Sequence, residues 1–80
     1  MLTETTLNDL NVKFKKDGSF FNIPDVAGTI IEDAGFLFFI HGNRTIRVSI
    51  EDENIKEYIK AYITGFDEFA EALKKFRWNQ

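Results

Sequence analysis

Between Phe36 and Phe66 the chain carries, in order, five unbroken apolar residues, a tight turn, an alternating segment and a helically spaced apolar stripe. Few folds accommodate that succession. Phe36-Leu37-Phe38-Phe39-Ile40 reads as a strand covered on both faces and central in its sheet. Thr45–Ile50 alternates, with Ile46, Val48 and Ile50 on one side and Thr45, Arg47 and Ser49 on the other. The turn at His41-Gly42-Asn43 decides which residues meet. A two-residue Gly42-Asn43 turn pairs His41 with Arg44, Phe39 with Ile46 and Leu37 with Val48. It leaves Phe36, Phe38 and Ile40 on the opposite face beside Arg47. A three-residue loop would exchange the two faces.

Ile55, Tyr58, Ile59, Tyr62 and Ile63 stand at i, i+3, i+4, i+7 and i+8, the stripe of a helix lying on a sheet. Asp52 is the expected N-cap, and Gly65 is placed to end the helix in a left-handed conformation. Asp67 is expected to cap a second helix in which Phe69, Ala70, Leu73 and Phe76 repeat the spacing. Lys74, Lys75 and Arg77 fall in its last turn, where cations are favoured. Trp78 is expected to pack back on the core.

Upstream, residues 1–10 allow one short helical turn capped by Thr3, or an extended arm. From Asn11 the pattern alternates, with Val12 and Phe14 on one side and Lys13 and Lys15 on the other. Asp17-Gly18 before Ser19–Ile23 is a hairpin signal, and Pro24, lacking an amide donor, stops the strand. Gly28–Glu32 reads as a third strand and Asp33-Ala34-Gly35 as a turn, with Gly35 free to take positive φ. The expected fold is α+β, one domain over residues 1–80. It is an antiparallel β-meander of four to five strands with two C-terminal helices packed on one face.

Eighty residues lie near the lower limit for a single hydrophobic core. There is no cysteine, so stability must come from packing, and nine phenylalanines, two tyrosines and one tryptophan supply the area. Each aromatic can remove about 150–250 Å² from water. The net charge of −3 disfavours general phosphate binding without excluding a local basic patch. No apolar run approaches the roughly 20 residues of a membrane span. Met1-Leu2-Thr3-Glu4 lacks the basic start of a signal peptide, so a cytoplasmic protein is expected.

The polar residues form no catalytic set, and an enzyme is not expected. His41, the one histidine, sits in a turn where a local hydrogen bond would account for it. Glu51, Asp52 and Glu53 suit a helix start, and the oxygen spacing of a calcium loop is absent. No phosphate loop is present, and neither a cofactor nor a metal is implied. Lys13-Phe14-Lys15-Lys16 followed by Phe20-Phe21 mixes bases and aromatics as single-stranded nucleic-acid platforms do. An edge strand guarded by lysines explains the same residues. Residues 51–80 hold seven acids against five bases. Glu51, Asp52, Glu53 and Glu57, with Asp67, Glu68 and Glu71, make either a solvated helix face or a negative surface that docks on a basic groove.

The glycine-asparagine hairpin, the acidic link and the segment Glu57-Tyr58-Ile59-Lys60-Ala61-Tyr62-Ile63-Thr64-Gly65-Phe66 together resemble small phage anti-CRISPR proteins that inhibit Cas9. The resemblance spans about residues 36–68. It implies a three-stranded antiparallel sheet with helices and an acidic mimic of DNA that occupies the PAM-reading surface of the nuclease. It also implies that Gly42 and Asn43 are turn contacts, with Asp67 and Glu68 near the acidic contacts. This chain departs from that pattern at His41, where the family has an acid. It also lacks the long acidic insertion between the final helices, and a hairpin is expected in place of a first helix.

The expected function is therefore a non-enzymatic, protein-binding inhibitor, an anti-CRISPR protein acting in the cytoplasm of an infected or host bacterial cell. Its partner would be a CRISPR effector complex. The expected contacts are Gly42, Asn43, Glu51, Asp52, Glu53, Glu57, Asp67 and Glu68, with Phe36 and Phe38. The alternatives are a small nucleic-acid-binding domain using Lys13, Lys15 and Lys16, or a subunit that self-associates as a homodimer through Phe36, Phe38 and Ile40.

Overall fold

The computed structural model describes residues 1–78, the side chain of Trp78 excepted. One antiparallel sheet carries strands β1 (Lys15–Asp17), β2 (Phe20–Ile23), β3 (Gly28–Asp33), β4 (Phe36–His41) and β5 (Arg44–Ser49) in sequence order. A helix α1 (Leu2–Asp9) precedes them, and α2 (Ile55–Thr64) and α3 (Phe66–Leu73) follow. The α+β meander with two C-terminal helices is the fold that the pattern implied.

Three of the four strand connections are two-residue turns that open on a left-handed residue: Gly18 (φ 61°), Ala34 (φ 51°) and Gly42 (φ 61°). Turns of this hand match the right-handed twist of the strands they join. Gly35 also takes positive φ, at 82°. Asp17 is the last residue of β1, paired with Phe20, so the first turn is Gly18-Ser19 and not Asp17-Gly18. Between β2 and β3 a 3₁₀ turn (Pro24–Val26) and a left-handed Ala27 reverse the chain.

The two-residue Gly42-Asn43 turn sets the register, with His41 opposite Arg44, Phe39 opposite Ile46 and Leu37 opposite Val48. The side-chain period of two then divides the sheet. Phe21, Ile23, Ile30, Leu37, Phe39 and Val48 are buried on the face that meets the helices. Leu7, Ile55, Tyr58, Ile59, Tyr62, Phe69 and Leu73 close the core from above. At its centre Phe39, Tyr62 and Phe69 meet with ring centroids 4.6–5.3 Å apart. Such pairs add about 0.5–1.5 kcal/mol each beyond the area they bury.

β4 departs from the expectation of a strand covered on both faces. Its odd residues are buried, whereas Phe36, Phe38 and Ile40 are half-buried on a face that no helix covers among the described residues. The N-terminal hairpin extends the sheet sideways and does not fold over that face.

Residues 2–9 form a two-turn helix with Met1 at its N-cap, and Thr3 lies inside the helix, buried. The Thr3 backbone N–H and hydroxyl both donate to Glu32 Oε1, at 2.9 and 2.8 Å. A strand carboxylate thus satisfies a donor that a helix start leaves open, and it ties α1 to β3. Val12 and Phe14 pack against the core ahead of β1, which is shorter than the alternation suggested.

The helix caps also differ from the expectation. Asn54 occupies the N-cap position of α2, and Asp52 Oδ1 accepts the Asn54 N–H at 2.8 Å, closing the turn one step earlier. Gly65 is extended (φ 159°, ψ 161°) where a left-handed residue was expected. It serves both as the end of α2 and as the N-cap of α3, so Asp67 lies in the first turn of α3 and is not its cap. After Leu73 the helix widens into a π-type turn over Lys74–Trp78. There Arg77 Nη1 donates to the Arg47 carbonyl at 3.0 Å. The Trp78 side chain and residues 79–80 lie outside the described residues.

Candidate functional site

β4 and β5 bring His41 and Arg44 side by side beneath the hairpin tip, and both meet Phe66. The Phe66 ring stacks on the His41 imidazole with centroids 4.8 Å apart and planes inclined by 23°. The Arg44 guanidinium lies 5.6 Å from the Phe66 centroid. A cation over a ring face gains about 0.5–1 kcal/mol at an exposed site. His41 is thus held by a ring, not by the local turn bond its position suggested. This contact fixes the corner between α2 and α3 against the hairpin. The exposed Gly42 and Asn43 therefore stand at the same end of the molecule as Asp67 and Glu68, also exposed. Phe66 was absent from the expected site, although an aromatic directly after a helix-ending glycine is the signal that could have found it.

The remaining acids lie elsewhere. Glu51, Asp52 and Glu53 occupy the link that follows β5, at the other end of strands six residues long. Six residues of strand span about 20 Å, so this link and the hairpin tip cannot form one small patch. There the Glu51 N–H donates to Ser49 Oγ at 3.1 Å. Glu57 and Glu68 line a shallow groove of about 250 Å³ between α2 and α3, together with Lys60, Ala72 and Phe76.

Phe36 and Phe38 project from the opposite side of the sheet, so they share no surface with Glu57, Asp67 or Glu68. The Arg47 guanidinium lies 4.8 Å from the Phe36 centroid. The basic and aromatic segment is divided in the same way. Lys16 turns toward α1 and pairs with Glu4 at 3.5 Å, and Phe14 packs on the buried Phe21 at 5.9 Å. Lys15 and Phe20 belong to the open face, where Phe20 is 47% exposed. The sheet therefore separates residues that adjacency in the chain had grouped.

Two tyrosines have perturbed hydroxyls. The Tyr62 hydroxyl donates to the Ile40 carbonyl and accepts the Thr29 N–H at 3.1 Å. Burial raises its pKa above the ordinary value of 10.0, and the Thr29 backbone bond opposes that rise. Tyr58 is buried, and among the described residues its hydroxyl has no hydrogen-bond partner. Its pKa is raised by burial first, then by the charges of Asp52 and Glu53, with Arg77 acting the other way. Both are structural groups inside the core rather than groups presented to a ligand.

Among the described residues no helix is long and apolar enough to cross a membrane. No three His, Asp or Glu side chains among them converge as metal ligands would. Comparison with known protein families, curated proteins and solved structures finds no match to this chain.

Proposed function

We propose that the protein is a non-catalytic, protein-binding inhibitor whose contact surface is the hairpin end, and that its concrete role is anti-CRISPR. The observation that carries the reading is the clamp of His41 and Arg44 on Phe66, which holds a projecting two-residue turn beside an acidic helix start. A rigid turn flanked by carboxylates suits a basic groove with a pocket beside it. Charge complementarity of this kind speeds encounter and sets orientation. The resemblance over residues 36–68 assigns contacts to the same places, Gly42, Asn43, Asp67 and Glu68. α1 supplies the first helix expected to be missing, whereas the sheet has five strands, β1–β2 included, where the resemblance implies three. The partner on this reading is a guide-loaded CRISPR effector in a bacterial cytoplasm.

The test titrates the purified protein into a DNA-cleavage reaction run by a guide-loaded Cas9-type effector, with direct binding measured in parallel. Inhibition near one equivalent is expected. Asp67→Lys with Glu68→Lys should weaken it by at least about tenfold. Glu51→Lys with Glu53→Lys changes net charge equally at the far end and should act far less. No binding to any effector at tens of micromolar, or equal loss from both pairs, would overturn the assignment to the hairpin end.

A further inference from the structure

The open face of the sheet carries one row of residues, set by consecutive strand registers, that runs Asp17, Phe20, Ile31, Phe38, Arg47 from edge to edge. The row reads acid, aromatic, aliphatic, aromatic, base. Turned end for end, it is its own complement. We propose that this face is a docking surface for a second copy of the chain, packed sheet on sheet about a two-fold axis that runs along β3.

The charges choose that axis. A two-fold parallel to β3 lays Ile31 on Ile31, Phe20 on Phe38, and Asp17 on Arg47 at both rims. A two-fold across the strands would set Asp17 on Asp17 and Arg47 on Arg47, with like charges opposed at each rim. Aligned sheets pack about 10 Å apart and within about 30° of parallel, so side chains in one row reach the facing row. The row above, Lys15, Asn22, Thr29, Ile40, Thr45, adds no like-charge meeting, because its one charge faces Thr45. Asp33, at the solvent end of β3, meets its own copy there; it is exposed and sits outside the apolar row.

The exposure of the apolar row leaves it open to a copy, and its size sets how strongly a copy would hold. Phe20 is 47% exposed at one end of the apolar stretch, and Phe36, Phe38 and Ile40 are only half-buried. Edge-to-edge growth is closed at β1, a three-residue strand whose Lys15, Lys16 and Asp17 are all exposed and charged. Five strands give a face of roughly 19 by 17 Å. A pair of such faces buries roughly 650 Å², about half the low end of the roughly 1,200–2,000 Å² found in stable interfaces. The dimer should accordingly be weak, and it uses a surface distinct from the hairpin end.

Sedimentation equilibrium from about 5 to 500 μM tests the proposal, with anisotropy of a labelled single-stranded oligonucleotide as the second arm. A reversible monomer–dimer equilibrium is expected. Asp17→Arg alone and Arg47→Asp alone should each weaken it about tenfold or more, and the double exchange should restore it, because each base then faces an acid again. Both positions are exposed, so a folding defect does not mimic this result. A monomer throughout the range would overturn the proposal. So would a dimer insensitive to the single exchanges or not rescued by the double one. Oligonucleotide binding that Phe20→Ala and Lys15→Ala abolish would assign the face to nucleic acid instead.

Discussion

Gly28 leaves open the space that the Tyr62 hydroxyl occupies. A Cβ on Gly28 would run into that hydroxyl and lie 2.8 Å from Tyr62 Cζ. The hydroxyl enters beside β3 because the glycine has no side chain, and there it reaches the Ile40 carbonyl and the Thr29 N–H. Gly28→Ala should lower stability by about 1–3 kcal/mol, the usual cost of overpacking. Combined with Tyr62→Phe, the loss should be smaller than the sum of the two. Urea unfolding of the four proteins measures this, and strict additivity would argue against the contact.

The two buried tyrosines should respond oppositely to loss of the hydroxyl. Tyr62→Phe strands a carbonyl and an amide and should cost about 1–3 kcal/mol. Tyr58→Phe removes a buried hydroxyl that has no partner among the described residues, so stability should hold or rise by up to about 1 kcal/mol. Denaturant midpoints at neutral pH distinguish the two.

Alkaline pH should act through the same groups. The Tyr62 and Tyr58 pKa values are raised in the folded chain, both chiefly by burial. Their contribution is therefore complete below about pH 10, the unfolded value, and is lost as pH rises through the higher folded values. The unfolding midpoint should fall above about pH 10, and more shallowly in Tyr62→Phe. A midpoint flat to pH 11 would contradict the burial of these hydroxyls.

Glu32 should anchor α1. Removing its carboxylate leaves the Thr3 N–H and hydroxyl without their acceptor. Glu32→Ala should cost about 1–3 kcal/mol and Glu32→Gln less, since an amide oxygen can still accept. Hydrogen exchange should quicken in residues 2–9 ahead of the sheet. Unchanged protection there would remove the anchor role.

Phe66→Ala should detach the acidic turn from the hairpin tip. Amide exchange at residues 41–45 should rise, and on the proposed function inhibition should fall even though no acid has been changed. Retained inhibition would show that the clamp does not position the contacts.

Much of this could be read from the residues. Local rules narrowed the β4–β5 register to two, since period two determines every pair once the loop length is known, and the two-residue Gly42-Asn43 turn is the one present. They also reached the stripe of α2, whose Ile55, Tyr58, Ile59 and Tyr62 are all buried. They left α1 undecided between one helical turn and an extended arm, because its short polar sequence is a weak helix until Glu32 binds its first turn from 29 residues away. They misplaced both helix caps, because any of several acids and asparagines could fill those positions locally. An acid at the core-facing parity of β3 was the one available hint of the Glu32 contact.

The candidate site divides along the same line. Alternation along the chain identified Phe36 and Phe38 as one face and Leu37 and Phe39 as the other. Adjacency, however, grouped Lys15 with Lys16, and Phe20 with Phe21, which the pleat of the sheet sends to opposite sides. By itself the chain determined most of its strands, the turns at Ala34-Gly35 and Gly42-Asn43 and the apolar stripe of α2, since these depend on neighbours within a few residues. Only the tertiary structure decided which end of the sheet Asp67 and Glu68 would join, that Phe66 would clamp His41, and that a row from Asp17 to Arg47 would lie uncovered. Those relations join residues far apart in sequence, and they exist only once the helices have chosen one face of the sheet.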